Sequence, residues 1–295
     1  MNKSTQLQII VAIIILTTVF SSCSLIQIVF ARMPSHKISA LTFEVGNEPK
    51  YKIIYPDTLG DLYLRQLRDE NNLLQLVEKA VSDKERALLI LNWAHAQWSH
   101  SPNNTPSKYD AIAILKEAKQ GKSFRCVEYG IVTKTALLSI GMKARGLGLD
   151  TRDVETCDFG AGHYLSEVWL SEFNKWALID GQFNVMPILN NVPLNAVEFQ
   201  EAIIQKKPFI LVNCHGEISK REYDSYLNFI PHYLYYFAVD FDQRPTAEDG
   251  RNTVEGKTGL MLVPLTAPQP KVFQRKYPMD NYIYTNSLDD FYKKP

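Results

Sequence analysis

At 295 residues, with 45% hydrophobic and 22% charged residues and its 14 Gly and 15 Pro scattered, the chain suits one large globular domain, or one domain with an appended subdomain. This composition excludes a disordered, collagen-like or repeat-built chain. Lys+Arg and Asp+Glu both total 32, so no net field draws a polyanion, and no dense basic run is interleaved with aromatics; nucleic acid is not an expected partner.

The N-terminus, residues 1–31, stands apart. After Lys3 no charged side chain occurs until Arg32, and residues 7–20 are largely aliphatic, a stretch that belongs in a membrane or a translocon. Two readings fit. In one, a bacterial lipoprotein signal ends at Phe20-Ser21-Ser22-Cys23, where small residues before a cysteine permit cleavage and lipidation of Cys23, although Phe20 stands where a Leu is usual. In the other, residues 7–30 remain as a single anchor helix, long enough at about 1.5 Å per residue to span roughly 30 Å of hydrocarbon. Either way the remainder is expected to be membrane-attached and extracytoplasmic. Setting Cys23 aside, Cys126, Cys157 and Cys214 are an odd number, so an exported chain keeps at least one thiol unpaired or paired to another chain; a Cys157–Cys214 disulfide stays open.

Residues 32–81 form a lead-in, with a candidate strand at 51–55 and a helix over 62–81 whose apolar face is interrupted at Asn71-Asn72. Ser82 and Glu85 form an S-x-x-E capping box, and Ala87, Leu91, Ala94 and Trp98 recur at helical steps, which predicts a helix ending near Gln97 and Trp98. Ser107-x-x-Asp110 starts a third helix that Gly121 terminates. From Cys126 to Ile140 there are charges only at Glu128 and Lys134, so a mostly buried helix is expected with Cys126 in its first turn. Two alternating runs, 163–170 and 175–180, flank a short polar turn and read as a β-hairpin. The core is thus expected over residues 82–190. Residues 191–295 read as an α/β extension packed on it, with a helix near 194–206 and strands near 209–212, 233–241 and 260–265.

A thiol is nucleophilic as the thiolate, and its pKa falls at a helix N-terminus or beside an imidazolium. Cys126 has the first feature by position, and the unpaired N–H groups there suit an oxyanion. In the hairpin, alternation puts His163, Leu165, Glu167 and Trp169 on one face and Trp176, Leu178 and Asp180 on one face of the partner strand. Asp180 roughly opposite His163 can fix its tautomer, so that the other nitrogen faces the thiol. Cys126 is the candidate nucleophile, His163 the base and Asp180 its orienter.

These residues lie in four ordered blocks: Phe124-Arg125-Cys126-Val127-Glu128-Tyr129, Gly141-Met142-Lys143-Ala144-Arg145, His163-x-x-x-Glu167-Val168-Trp169 and Trp176-x-x-Ile179-Asp180. Together they resemble the core of the transglutaminase-like superfamily over roughly a third of the chain. The resemblance implies an α+β, papain-like fold with the Cys-bearing helix packed on an antiparallel sheet that carries the His and Asp. Related folds place a side-chain oxyanion donor where Gln97 and Trp98 stand. Where the family often has an aromatic residue two positions after the His, this chain has Leu165.

Against this stand the structural readings: Glu167 and Trp169 as hairpin and core residues, and Cys214-His215 as neighbours that a strand points to opposite faces. The acidic loop around Cys157 lacks the ligand spacing of zinc or calcium sites, so no metal is expected there. The expected activity is acyl chemistry on amide bonds through a thioester, without a cofactor, most simply hydrolysis as a peptidase or amidase on a peptide or protein substrate of the cell envelope. Protein-glutamine acyl transfer is the alternative. A catalytically silent peptide- or glycan-binding module using Tyr233, Tyr235 and Tyr236 is the reading from another class. The sequence does not give the oligomeric state.

Overall fold

The computed structural model describes residues 38–245 and 250–295; the apolar leader with Cys23 lies outside them. Among the described residues no helix is long and apolar enough to cross a membrane. Helix α1 (Leu62–Glu70) is followed by the single turn α2 (Leu73–Leu76), then by α3 (Asp83–His95), α4 (Ala111–Lys119) and α5 (Cys126–Ser139). The continuous helix expected over 62–81 is broken. Asn71 turns its amide back onto the Leu67 carbonyl at 2.8 Å, and Asn72 takes φ 52°, a left-handed conformation that asparagine tolerates.

The other helix starts follow their caps. Ser82 accepts from the Glu85 N–H at 3.2 Å, while the Glu85 carboxylate reaches back to the Val81 N–H at 2.9 Å. For α4 the cap is Asp110 itself, accepting from the Ala113 N–H at 2.9 Å; Ser107 instead binds the Glu117 carboxylate. Gly121 and Gly141, at φ 90° and 92°, end α4 and α5 in the left-handed region where a side chain is unfavourable.

Strands β1 (Ala144–Asp150), β2 (Gly162–Leu170) and β3 (Lys175–Ile179) form an antiparallel meander. A small second sheet follows, made of β4 (Met186–Leu189), β5 (Val192–Pro193), β6 (Ile210–Asn213) and β7 (Gly216–Glu217), with α6 (Ala196–Ile204) between β5 and β6. After α7 (Lys220–Phe229) the chain returns to the first sheet. Strands β8 (Tyr236–Asp240) and β9 (Gly259–Leu262) extend it; past the short hairpin β10 (Val272–Phe273) and β11 (Tyr277–Pro278), β12 (Tyr282–Thr285) closes the edge before the last turn, α8 (Leu288–Phe291). The order is β12-β9-β8-β1-β2-β3, antiparallel except for the β9–β12 pair. The lead-in contributes two isolated bridges, Glu44 to Ser287 and Ile54 to Asp242, rather than a strand.

The fold is therefore α+β, with a largely antiparallel sheet. Alternation gives each face its own core. Ala144, Val168, Leu170, Ala177 and Ile179 pack against α3 and α5, while Leu147, Leu149, Leu165, Leu178 and Phe237 pack against α6, α7 and Phe291. Two glycines let the Cys126 helix approach closely: a Cβ on Gly130 would meet the Tyr164 ring at 2.5 Å, and one on Gly181 would meet the Thr133 hydroxyl at 2.5 Å. Cys126, Cys157 and Cys214 are all free thiols, so the Cys157–Cys214 disulfide is not formed.

Candidate active site

Arg125 is extended, at φ −85° and ψ −179°, and α5 begins at Cys126. The Glu128 carboxylate, fully buried one turn in, accepts from the Arg125 N–H at 3.0 Å and from its guanidinium at 2.7 Å. A carboxylate at N3 fixes this helix start and favours the helix dipole, so the position of Cys126 is set by its neighbours rather than by its own contacts.

The opposite side of the thiol is set by the sheet. Trp169 sends its N–H to Lys143 beside β1, so by alternation Tyr164 sends its N–H toward the β3 side. Pairing between β2 and β3 stops at Ser166 with Ile179. The Tyr164 N–H thus has no strand to meet, and it is directed toward the side where the Cys126 thiol lies and favours the thiolate there. Burial alone would push the Cys126 thiol up. The hydrogen bond and charge of His163, followed by the Tyr164 N–H, outweigh it and hold the thiol below its ordinary value, against a smaller push from Asp180.

His163, 3% exposed, carries its Nε2 2.8 Å from Asp180 Oδ2. Asp180 is wholly buried and lies just past β3, in a bridge with Val185. The register continued from β3 sets Asp180 against Leu165, so it reaches His163 diagonally along the shared face rather than from directly opposite. With Nε2 taken, Nδ1 is the nitrogen left for the thiol. Burial favours the neutral imidazole, but the charge and hydrogen bond of Asp180, with Cys126 behind them, raise His163 to about 10. A thiol pulled down beside an imidazole pulled up favours a thiolate–imidazolium pair.

Asp180 is itself held on four sides. Its Oδ1 accepts from the N–H groups of Gln182 at 3.0 Å and Phe183 at 3.4 Å; its Oδ2 accepts from the Tyr226 hydroxyl at 3.2 Å as well as from His163. The rings of Phe183, Phe229 and Tyr233 stand 6.3, 5.1 and 5.7 Å from the imidazole and shield it from water.

The two upstream candidates separate. Gln97 donates its side-chain amide to the Trp93 carbonyl at 2.8 Å, turned back into its own helix end. Trp98 lies against Tyr129 at 4.5 Å and Phe124 at 5.6 Å, beside the start of α5, and its buried indole N–H has no partner among the described residues. Cys157 and Cys214 are not gathered with the pair, and burial raises both thiols. Of the three C-terminal tyrosines, Tyr233 faces His163, whereas Tyr236 is buried with its hydroxyl on the Pro268 carbonyl.

Residues 72–181 match the family model of the transglutaminase-like superfamily. That segment resembles the core of the transglutaminase-like superfamily. Its last residues carry Asp180, so the transglutaminase-like core contains the Cys, His and Asp, while Tyr226, Phe229 and Tyr233 come from outside it. No curated protein matches the chain. Among solved structures it is similar to a candidate cysteine protease from Cytophaga hutchinsonii, with a TM-score of 0.34 and 13% identity, covering 42% of this chain and 40% of that one. It is also similar to a TGase, with a TM-score of 0.29 and 15% identity, covering 40% of this chain and 30% of that one. The chain spans less than half the length of either.

Sequence reasoning missed Tyr226 and Phe229 because it missed α7. The signal was present: Ser219-x-x-Glu222 is a capping box, and Tyr223, Tyr226, Leu227 and Ile230 follow at helical spacing. His100 was also passed over. Its pKa is lowered by partial burial and then by the charge of His163, which puts it within electrostatic reach of the imidazole.

Proposed function

We propose that this protein is a membrane-attached thiol hydrolase that cleaves amide bonds, a peptidase or amidase acting on peptide or protein of the cell envelope. The observation that carries the reading is the 2.8 Å bond between Asp180 Oδ2 and His163 Nε2, with the charge of that imidazole acting on the Cys126 thiol at a helix N-terminus. The thiolate attacks the amide carbonyl, and the oxyanion lies toward the Cys126 N–H and the unpartnered Trp98 indole N–H. The C–N bond then breaks as imidazolium Nδ1–H protonates the departing amine, leaving a thioester. Water attacks the thioester carbonyl and gives its proton to His163; the C–S bond breaks, and carboxylic acid and thiolate are released.

Hydrolysis is favoured over transfer as the simpler resolution of the thioester, since water needs no binding subsite of its own. Membrane attachment rests on the uncharged stretch between Lys3 and Arg32.

The test incubates the purified protein and its Cys126→Ala variant with a library of peptides and primary amines, and reads protein and products by mass spectrometry. The expected result is an acyl adduct on Cys126 and cleaved peptides bearing a new carboxylate, both absent from the variant. Amine-bearing products would make it a transferase. Neither adduct nor product would leave a binding module. For the anchor, fatty-acid labelling that is lost in Cys23→Ala identifies a lipoprotein, and an unlabelled chain retaining residues 1–31 identifies the helix.

A further inference from the structure

The carboxylate of Asp180 divides its work between its two oxygens. Oδ1 receives two backbone N–H groups from Gln182 and Phe183, in the geometry of an Asx-turn, which alone fixes the rotamer. Oδ2 receives the imidazole at 2.8 Å and also a phenol, the Tyr226 hydroxyl, at 3.2 Å. Tyr226 is fully buried, packed on Phe183 at 4.9 Å and Phe199 at 6.3 Å, with the strict orientation of a core side chain. Its helix is capped in both directions, by Ser219 accepting from the Glu222 N–H and Glu222 accepting from the Ser219 N–H. A buried tyrosine gains nothing by losing its proton beside a carboxylate, so the phenol acts here only as a donor.

We propose that Tyr226 is a positioning residue of the Cys126–His163–Asp180 triad, drawing negative charge from the oxygen that holds His163 and so setting how tightly the imidazolium keeps its proton. The inference rests on the triad reading above. Because the rotamer of Asp180 is already held through Oδ1, the contribution of Tyr226 is electronic rather than geometric. A carboxylate shared with a second donor is a weaker acceptor toward the first. The consequence is chemical. An imidazolium bound too tightly to Asp180 is a poor acid for the leaving amine, so a donor on the shared oxygen keeps the proton transferable. Tyr226 comes from α7, outside residues 72–181, so the C-terminal region completes the electrostatics of the core's site as well as covering it.

Among the described residues, the titratable groups facing His163 are Cys126 from α5, Asp180 past β3, Tyr226 through Asp180, Tyr233 after α7 and His100 after α3. Asp150, paired with Gly162 next to it in the β1–β2 ladder, is pushed up to about 7 by burial and is common to all the variants compared.

The experiment follows the His163 ring signal by NMR against pH in the wild type, in Tyr226→Phe, and in a protein with 3-fluorotyrosine placed at 226 alone. Its assignment comes from the signal's loss in His163→Ala. Tyr226→Phe keeps the ring and removes the donor, and should move the His163 titration up by about half a pH unit or more; the more acidic fluorinated phenol should move it down. If His163 titrates near the ordinary 6.5 in the wild type, the triad reading itself falls. If it titrates near 10 in all three proteins, or if Tyr226→Phe moves it down, the triad stands and the role given to Tyr226 is overturned.

Discussion

Strand β2 carries two buried acid–base pairs on one face, four residues apart, and they are built to opposite ends. At one, Glu167 accepts from Arg145 Nε at 3.0 Å and Nη2 at 2.6 Å, and both side chains are fully buried. Arg145 donates from Nη1 to the Phe291 carbonyl at 2.6 Å and lies between the rings of Trp176, Phe291 and Tyr292. The other oxygen of Glu167 takes the Ala196 N–H at 3.0 Å and the Tyr292 hydroxyl at 3.1 Å. The other pair is His163 and Asp180. Its carboxylate is as completely satisfied as that of Glu167, but its base keeps one nitrogen for the half-buried thiol.

The two pairs meet the same low dielectric and the same demand for partners. One is closed on every side and ties α6 and the C-terminal turn to the hairpin. The other is closed on its acidic end alone, and the open end is where a proton can move. Burial of a charge pair thus marks neither stability nor catalysis; what decides is which group is left without a second partner.

That contrast can be broken by substitution. Asp180→Asn opens the closed end of the catalytic pair and permits the wrong tautomer; it should leave the urea midpoint nearly unchanged and lower turnover by about 10⁴, as in serine triads of the same logic. Turnover near wild type would remove Asp180 from the mechanism. Glu167→Leu should do the reverse, destabilising the fold by about 3–5 kcal/mol because Arg145 is left charged and buried, while Arg145→Met with Glu167→Leu recovers most of the loss. Urea unfolding of the single and double variants checks this, and an equal loss in both would show that packing, not the charge, matters there. Smaller still, Trp98→Phe keeps the contacts with Tyr129 and Phe124 and removes only the indole N–H; it should lower turnover by about 10² with unchanged Cys126 alkylation. A variant as active as wild type would leave the Cys126 N–H as the donor.

The His163–Asp180 half of this comparison was legible in the sequence and the Arg145–Glu167 half was not. Cys126 at a helix start and His163 on an alternating strand are local patterns, readable within a few residues. The diagonal reach of Asp180 was not local, since it depends on β3 ending at Ile179. Arg145 and Glu167 stood out within the motif blocks, but the partners that make them a staple come from positions 196, 291 and 292. Trp176 likewise binds the Lys293 carbonyl, 117 residues away. No periodicity announces such contacts. The helix supplying Tyr226 differs, because its capping box and helical spacing are local signals contained within residues 219–230.

The central claim, that Cys126 is a thiolate made by its surroundings, is tested most directly by iodoacetamide alkylation of the native protein at pH about 6, followed at each cysteine by mass spectrometry. The structure holds Cys126 below the ordinary thiol value and raises both Cys157 and Cys214. Cys126 should therefore react well ahead of the other two, and His163→Ala should move its reaction to higher pH by removing the cationic partner. If Cys126 reacts no faster than Cys157 and stays inert until alkaline pH, it is a buried structural thiol and the catalytic reading is contradicted.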